Sequence, residues 1–392
     1  MKPTNDVYTG LPTTIFEEMS RLATAHGAIN LGQGFPDVDG PEDVRRRAAE
    51  ALMEGPNQYP PMLGLPELRQ AVAESWRRFR GLTVDPASEV LITSGATEAL
   101  SDCINAIVRP SDEVVLLEPL YDCYLPLVKR AGGVPRLVRL TPPGWALDEA
   151  ALAGAFSPRT KAIILNNPMN PAAKLFSFNE LQLIARLAIE HDSYVIADEV
   201  YEHIVFDGAR FTSMLAVPGM RQRTAAIGSA GKTFSLTGWK VGYVTAAPAL
   251  VDAIAKAHQF TTFTTPPNLQ KAVAYGLARD DAYYAGLAGE LQAKRDRLAA
   301  ACAAIGLGVV PCAATYFLTV DMRPLSLAGD DRELARRMTV EAGVTSVPVS
   351  AFYASPVADQ YLRLCFSKRD AVLDAAAERI AAWARRAGRT AA

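Results

Sequence analysis

The chain has 392 residues, of which 49% are hydrophobic and 21% are charged, and its formal net charge is -2. It is long enough for one large core and a smaller second one, because single cores stop growing near ~250–300 residues. This composition excludes a disordered chain, and the small net charge argues against a nucleic-acid binder or a membrane-surface protein. The expected partners are small molecules or a second copy of the chain.

Signals for targeting, disulfides and metals are weak. The first residues contain no apolar stretch of signal-peptide length, and no later segment approaches the ~20 apolar residues of a membrane span. We therefore expect a cytoplasmic protein without a membrane partner. The five cysteines form no Cys-x-x-Cys pair and the four histidines lack metal-ligand spacing, so neither a disulfide framework nor a metal site is expected.

The first two thirds of the chain alternate between predicted helices and predicted strands. Apolar residues at helical spacing indicate helices at 13–25, 41–54, 67–79 and 179–190. Runs of Val, Ile and Leu indicate strands at 113–117, 135–140, 161–165, 194–197, 225–228 and 242–246, and another before residue 94. Buried runs separated by helices are typical of an α/β fold with a mainly parallel sheet that is covered on both faces.

The pattern changes after about residue 275. Helices are predicted at 282–305, at 331–342 and from 371, and strands at 315–321 and 361–366. We expect an arm at 1–40 that packs near a small α+β domain at 281–392, and a large domain at 41–280 between them. A frayed tail is expected at 385–392.

Polar or small residues follow the predicted strands at several places. Because the carboxyl ends of parallel strands meet at one edge of a sheet, ligands bind there. The residues in such positions are Gly95, Ala96, Thr97, Tyr121, Asn166, Asn170, Asp198, Tyr201 and Lys232. Unrelated loops have no reason to place acids, amides and an amine along one edge, so this convergence predicts a ligand site.

Residues 228–242 place one lysine among small residues at the end of a predicted strand. The amine of Lys232 can condense with an aldehyde, and Ser229 and Lys240 can hold a phosphate. A surface loop with two solvated lysines is the alternative. A phosphate-binding P-loop is a third interpretation, because Gly-Lys-Thr occurs at 231–233, but Ala226 stands where that motif requires glycine.

Two further turns have chemical potential. Residues 94–97 enter a helix, whose free N–H groups form a plausible phosphate site, although a simple helix cap explains the same residues. Asp198 ends an apolar strand, where a carboxylate needs a cationic partner such as a protonated pyridine nitrogen. A salt bridge or a helix cap is the alternative for Asp198.

These features combine in a pattern that resembles the class I/II aminotransferases of fold type I, which use pyridoxal 5′-phosphate. The resemblance covers nearly the whole chain and is strongest to the kynurenine/glutamine transaminase and methionine aminotransferase branch, which also holds some succinyldiaminopimelate aminotransferases. The phrases that carry it are Asn30-Leu-Gly-Gln-Gly-Phe-Pro-Asp37, Asn57-Gln-Tyr59, Glu118-Pro-Leu-Tyr-Asp-Cys-Tyr124, Asp198-Glu-Val-Tyr-Glu-His203, Ser229-Ala-Gly-Lys232 and Arg363-Leu-Cys-Phe-Ser-Lys368.

The resemblance implies a role for each matching residue. Lys232 is implied as the Schiff-base lysine and catalytic acid/base, with Asp198 on the pyridine nitrogen and Tyr201 on the phenolic oxygen. Cofactor contacts are implied for Tyr121, Asn170, Gly95, Ala96, Thr97, Ser229 and Lys240, and for Tyr59 from a second subunit of a homodimer. Substrate contacts are implied for Arg363 on the α-carboxylate and for Gly34, Asn166, Asn170 and Phe16.

One departure from the family pattern concerns the loop after Asn170. The usual Asn-Pro-x-Gly reads Asn-Pro-Ala-Ala here, so Ala173 must be strained or the loop rerouted if the usual glycine has a positive φ.

The substrate expected from the sequence is an amino acid with an uncharged side chain, together with a 2-oxo acid acceptor. Before residue 40 the only cations are Lys2 and Arg21, whereas Phe16, Phe35 and Tyr59 offer aromatic walls. Succinyldiaminopimelate as the substrate, a cysteine-conjugate β-lyase and a non-catalytic cofactor-binding module are the alternatives.

Overall fold

The computed structural model describes residues 2–355 and 359–390, and their side chains as far as residue 386. The strands in chain order are β1 Ile29–Asn30, β2 Val90–Thr93, β3 Glu113–Glu118, β4 Val134–Arg139, β5 Thr160–Asn166, β6 Tyr194–Asp198, β7 Thr224–Ser229, β8 Gly242–Thr245, β9 Gly308–Val309, β10 Phe317–Asp321, β11 Val344–Thr345, β12 Val347–Pro348 and β13 Tyr361–Cys365.

The helices in chain order are α1 Asp6–Thr9, α2 Ile15–His26, α3 Glu42–Glu54, α4 Pro66–Arg80, α5 Ala96–Ile107, α6 Tyr124–Arg130, α7 Glu149–Ala155, α8 Phe178–Glu190, α9 Ala230–Thr233, α10 Pro248–Thr261, α11 Pro267–Leu277, α12 Asp281–Ala304, α13 Asp331–Arg337 and α14 Asp370–Thr390. Among the described residues, every helix is too short or too polar to cross a membrane.

A seven-stranded sheet with the order β2-β8-β7-β6-β5-β3-β4 forms the centre of the fold. The pairs from β7 through β6, β5 and β3 to β4 are parallel, while β8 runs antiparallel to both of its neighbours. Residues of β3 and β7 are buried along their whole length, because helices cover both faces of the sheet. The predicted α/β fold with a mainly parallel sheet is therefore confirmed.

Local signals start the helices that support the edge of this sheet. Helix α8 begins with a capping box. The Ser177 hydroxyl accepts from the Glu180 N–H, and the Glu180 carboxylate accepts from the Ser177 N–H. Helix α5 follows β2 directly, because Gly95 turns the chain with a φ of 81° that favours glycine. The first turn of α5 is thereby placed at the carboxyl end of the sheet.

The last part of the chain forms a four-stranded antiparallel sheet with the order β12-β13-β10-β9, which packs with α12 and α13, while α14 packs against α12. The N-terminal segment joins this part, because β1 pairs in parallel with β11. Residues 33–35, which follow β1, thereby line a cavity at the edge of the large sheet. The division of the chain at residues 40 and 280 stays a prediction.

Two predicted helices in the last part of the chain differ from the structure at their ends. The helix predicted at 331–342 is α-helical only as far as Arg337 and continues as a π-helical turn at Met338–Ala342. The terminal helix begins at Asp370 and ends at Thr390, and the fraying expected from residue 385 stays a prediction. Residues 391–392 lie outside the described residues.

Candidate active site

A cavity of about 300 Å³ lies where strands of the large sheet end, facing β10 and β13 of the small sheet. Every site residue predicted from the sequence lines this cavity except Tyr59. These are Phe16, Gly34, Gly95, Ala96, Thr97, Tyr121, Asn166, Asn170, Asp198, Tyr201, Ser229, Lys232, Lys240 and Arg363. The tertiary structure thus brings together residues that are more than 300 positions apart in the chain.

Lys232 projects from the single turn of α9, directly after β7. Its amine Nζ donates a hydrogen bond to the Tyr316 hydroxyl at 3.1 Å, and it lies 5.6 Å from the centre of the Tyr201 ring. The strand before it depends on a glycine, because a Cβ on Gly228 would lie 2.1 Å from the Tyr243 ring. A solvated surface lysine, the alternative from the sequence, does not fit this enclosed position.

Asp198 ends β6 and is only 4% exposed. Its Oδ2 accepts a hydrogen bond from the Tyr124 hydroxyl at 2.5 Å, and Oδ1 has no hydrogen-bond partner among the described residues. Burial raises the pKa of the Asp198 carboxyl above its usual value. A buried carboxylate oxygen at the cavity wall is suited to a cationic or proton-donating ligand atom.

The first turn of α5 forms one end of the cavity, with Ser229 and Lys240 beside it. The free N–H groups and the positive dipole end of this 12-residue helix favour an anion. Close packing shapes this end, since a Cβ on Gly242 would lie 2.7 Å from the carbonyl carbon of Gly95. This end of the cavity is suited to an anion such as a phosphate.

Arg363 lies on β13 at the opposite side of the cavity and is 1% exposed. Its Nη1 donates to Asn170 Oδ1 at 3.0 Å and its Nη2 donates to the Gly32 carbonyl at 2.6 Å. The rings of Phe317, Phe16 and Phe352 surround the guanidinium with centres at 4.1, 5.2 and 5.2 Å. Burial lowers the pKa of Arg363 to about 10, so the site stabilises its charge only in part.

The loop that carries Asn170 contains one residue with a strained backbone conformation. Ala173 has a φ of 53°, the left-handed conformation that favours glycine, and its backbone N–H donates to the Met169 carbonyl at 2.8 Å. The strained alternative from the sequence therefore holds. Asn166 supports the same loop, because its Oδ1 accepts from the Asn170 N–H at 2.7 Å and its Nδ2 donates to the Asp198 carbonyl at 2.9 Å.

These groups fit a phosphorylated aromatic aldehyde. The lysine amine is the nucleophile for the aldehyde, and the α5 end with Ser229 and Lys240 suits the phosphate. The unpartnered Oδ1 of Asp198 suits a protonated ring nitrogen, and Tyr121 offers an aromatic face.

Sequence reasoning missed several residues of the cavity. Tyr124 belongs to the 118–124 motif, but the sequence does not indicate that its hydroxyl donates a hydrogen bond to Asp198. Tyr316, Phe317 and Asp122 also contact or line the site. Tyr316 lies 84 positions from Lys232, and no local pattern marks it.

Tyr59 is the one predicted site residue that the chain does not bring to its own cavity. It is 82% exposed, and its ring packs edge-on against Phe263 with the centres 5.4 Å apart. The implied phosphate contact from a second subunit stays a prediction.

A second buried group of ionisable side chains, Glu98, Asp102 and His258, lies behind the α5 end and is called here the His258 cluster. His258 Nδ1 is 2.6 Å from Glu98 Oε1 and 3.6 Å from Asp102 Oδ2. Burial lowers the pKa of His258, but the two carboxyls outweigh this effect and raise it to about 9. Burial raises the pKa of Asp102 to about 6. Metal-ligand atoms of all three lie within 4.8 Å, but the short contact is that of a hydrogen-bonded ion pair.

The mainly parallel sheet, the lysine at a strand end, the buried acid and the helix end suited to an anion are together typical of one class, the fold type I pyridoxal-phosphate enzymes. The family model described as aminotransferase class I and II matches residues 26–380. The chain belongs to this family, and it is an aminotransferase of the pyridoxal-phosphate-dependent type.

Named relatives agree on the reaction and differ in the substrate. A probable N-succinyldiaminopimelate aminotransferase of Mycobacterium tuberculosis is 44% identical over 95% of this chain and 97% of its own length. A methionine aminotransferase of Escherichia coli is 42% identical over 94% and 96%. The human kynurenine–oxoglutarate transaminase 1 is 37% identical over 95% and 96%.

Solved structures show the same likeness. The structure of an Escherichia coli protein identified as a methionine aminotransferase superposes with a TM-score of 0.95 at 40% identity, covering 97% of this chain and 100% of that one. The N-succinyldiaminopimelate aminotransferase of Mycobacterium tuberculosis superposes with a TM-score of 0.94 at 43% identity, with the same coverage.

Proposed function

We propose that this enzyme binds pyridoxal 5′-phosphate on Lys232 and moves the α-amino group of an uncharged amino acid to a 2-oxo acid in two half-reactions at one site. The observation that carries the proposal is the placement of Lys232, Asp198 and Arg363 around a single cavity. When bound, the cofactor supplies an electron sink that weakens the bonds at the substrate α-carbon.

Each side chain has a task that follows from its position. Asp198 would keep the ring nitrogen protonated, because its buried carboxylate needs a positive partner. Tyr121 would stack on the ring, and the Tyr201 hydroxyl and the side-chain Nδ2–H of Asn170 would hold its phenolic oxygen, since the backbone N–H of Asn170 already donates to Asn166 and its Oδ1 accepts from Arg363. Lys232 would move the proton at the α-carbon, and Arg363 would hold the α-carboxylate.

The charges around the cavity favour a substrate with an uncharged side chain. Among the described residues, the cations that line the cavity are Lys232, Lys240 and Arg363, and each already has a task. Asp122 adds a negative charge to the wall, and Phe16, Phe35 and Phe317 supply aromatic surface. A second substrate carboxylate would therefore meet an acid and apolar rings, which is unfavourable without a cation to pair it.

Succinyldiaminopimelate is the second candidate substrate, because the relative at 44% identity is named for it. A panel of kcat/KM values for methionine, glutamine, phenylalanine, kynurenine, aspartate and succinyldiaminopimelate decides between them. We expect the uncharged donors to be preferred, and Asp122→Asn to narrow the gap to the acidic ones. A preference for either acidic substrate overturns the proposal. Release of pyruvate from a cysteine conjugate would reveal β-lyase activity on the same site.

The attachment of the cofactor to Lys232 is tested chemically. Borohydride reduction of the loaded protein followed by peptide mapping is expected to place the reduced pyridoxyl group on Lys232. Lys240 is the internal control, because it borders the same end of the cavity. Its Cε lies 3.3 Å from the position that a Cβ on Gly95 would occupy. A label on Lys240 or Lys256 instead would contradict the assignment.

We also propose a homodimer with shared active sites. Exposed apolar side chains lie within a few positions along the chain of Tyr59 or of Phe263, which packs on the Tyr59 ring: Met53 and Phe260 are each 86% exposed. Burial of such a face against a second copy is favourable and would deliver Tyr59 to the partner's phosphate site.

Mixed dimers test the shared site directly. Lys232→Ala and Tyr59→Ala chains are each expected to be nearly inactive alone. In a hybrid dimer, the Tyr59→Ala chain keeps its lysine and receives Tyr59 from the other chain, so one of two sites is restored. If the mixture stays as inactive as the separate variants although hybrids form, Tyr59 does not act across the interface.

A further inference from the structure

The hydroxyl of Tyr316 lies between the catalytic lysine and the segment that covers the cavity. It is 3.1 Å from Lys232 Nζ and 3.0 Å from the carbonyl oxygen of Gly34, and the residue is 1% exposed. Neither the local sequence nor the family motifs assign a role to Tyr316.

The direction of both hydrogen bonds follows from the donors and acceptors. The carbonyl of Gly34 can only accept, so the Tyr316 O–H donates to it. The oxygen of Tyr316 therefore has only lone pairs left for Lys232, and the lysine N–H must donate. We propose that Tyr316 is a positioning residue for Lys232, which holds one N–H of the amine and leaves the nitrogen lone pair free to take the proton of the substrate.

This orientation is the one that a general base needs. A neutral amine has two N–H groups and one lone pair, and a donor at the position of Tyr316 would occupy that lone pair. An acceptor there fixes the nitrogen without occupying it. The lysine nitrogen would take the proton from the substrate α-carbon and deliver it, in the same half-reaction, to the carbon that carried the cofactor aldehyde, so no further proton donor is needed. The inference rests on the proposed function, since it assumes that Lys232 is the base.

The backbone holds Tyr316 in place from both sides. Thr315 has a φ of 66°, a left-handed conformation that is unfavourable for a β-branched residue, and it is fully buried. Its N–H donates to the Ile204 carbonyl at 2.9 Å, and the Tyr316 carbonyl accepts from the Phe366 N–H at 3.0 Å. Strain of this kind persists where the surroundings fix the chain, and it is common at functional sites.

The same segment connects the tyrosine with the arginine of the site. Gly32 accepts from Arg363, and Gly34 accepts from Tyr316, so two carbonyls of one short segment hold the two side chains. Removal of the Tyr316 hydroxyl leaves the Arg363 contact intact. We therefore expect an effect on proton transfer and little effect on the KM of the amino donor.

Tyr316→Phe removes the hydroxyl alone, and Tyr284→Phe is the matched control. Tyr284 is also buried, and its hydroxyl donates to the Leu277 carbonyl at 3.0 Å, but it does not line the cavity. In Tyr316→Phe, kcat is expected to fall roughly 3- to 10-fold, the worth of one hydrogen bond. The primary deuterium isotope effect with an α-deuterated donor should rise, because proton transfer becomes the slower step. Tyr284→Phe should change neither.

A second readout uses the protein without cofactor. Competitive labelling with trace acetic anhydride, followed by peptide mapping, measures how freely Lys232 reacts. The labelling rate is expected to rise roughly 3-fold in Tyr316→Phe, because the nitrogen is no longer held, and to stay constant in Tyr284→Phe. If Tyr316→Phe does not fold, difluorotyrosine at position 316 keeps the shape and weakens the acceptor, and the same two changes are expected on a smaller scale.

An unchanged isotope effect and an unchanged labelling rate in a folded Tyr316 variant would overturn the inference. Failure of the proposed function is recognised separately. In that case the wild-type protein itself would show no pyridoxyl label on Lys232 and no transamination.

Discussion

The cavity and the His258 cluster are both groups of buried charges, and they are stabilised in opposite ways. In the His258 cluster, a cation faces two carboxylates at 2.6 and 3.6 Å. In the cavity, the charged groups have neutral partners: Asp198 a tyrosine hydroxyl, and Arg363 an amide oxygen and a backbone carbonyl. Because an unpaired buried charge is costly, the cavity charges are available for a ligand, whereas those of the cluster are occupied.

One helix connects the two regions. The Glu98 carboxylate lies in the first turn of α5, where its Oε2 accepts from the Ser94 N–H. The Ser94 hydroxyl in turn is 3.3 Å from that of Thr265, in the segment between α10 and α11. The paired charges therefore support the turn that forms the phosphate end of the cavity. Ion pairing thus stabilises the fold in the His258 cluster, whereas the charged groups of the cavity have no ionic partner and can bind a ligand.

The largest effect is expected for Asp198→Asn, which removes a cavity charge that has no ionic partner. A neutral amide no longer keeps the ring nitrogen protonated, so kcat should fall about 1000-fold, equal to about 4 kcal/mol. The melting temperature should change little, because asparagine keeps the shape of the side chain and its amide oxygen can still accept the hydrogen bond from Tyr124. Single-turnover rates of the first half-reaction measure the loss, and wild-type rates would assign the acid another task.

The next effect is expected for Arg363→Gln. Loss of the buried guanidinium should lower kcat/KM for amino acids about 100-fold, equal to about 2.7 kcal/mol. A primary amine without a carboxylate serves as the control substrate, and its slow reaction should be unchanged. A comparable loss with the amine would show that Arg363 supports the structure and does not recognise the carboxylate.

A smaller effect, on the free energy of unfolding, is expected for His258→Gln, which removes the cation of the His258 cluster. Removal of the cation leaves Glu98 and Asp102 facing each other, at a cost of about 2 kcal/mol near pH 6.5. Urea unfolding of the two proteins measures it. Cofactor affinity should also decline, because the Ser94 turn loses support.

The difference in free energy of unfolding between wild type and His258→Gln should depend on pH. The pKa of His258 is raised to about 9 in the fold, above ~6.5 in the unfolded chain, so its stabilisation is complete below pH ~6.5 and is lost as the pH rises through 9. The pKa of Asp102, raised to about 6, lies below this window. The stability difference between wild type and His258→Gln should therefore shrink from pH 6.5 to 9. A constant difference would mean that His258 is not charged in the fold.

The smallest effect is expected for Ala173→Gly, in the loop beside the cavity. Glycine adopts the left-handed conformation of this residue without strain, so stability should rise by up to about 1 kcal/mol. Thermal unfolding measures the change, and Ala172→Gly next to it is the control that should destabilise. A loss of stability in Ala173→Gly would show that the loop is not strained at this residue.

Many features of the site were predictable because the signals are local. The strand ends that place Asp198 and Lys232 follow from short apolar runs, and the turn into α5 follows from a glycine and a helix start. The element ends were less predictable, as the π-helical turn after Arg337 shows, because tertiary packing decides where the last turn of a helix closes.

The α/β class, the aminotransferase family and most of the residues around the cavity were predictable from the sequence, because they depend on apolar periodicity and on motifs of adjacent residues. The partner of each buried charge was not predictable, because it depends on the tertiary structure. Tyr124 reaches Asp198 across 74 positions, Tyr316 reaches Lys232 across 84, and Asn170 reaches Arg363 across 193. Such contacts leave no local pattern, because a hydrogen bond depends on the distance between two atoms in space and not on their separation along the chain.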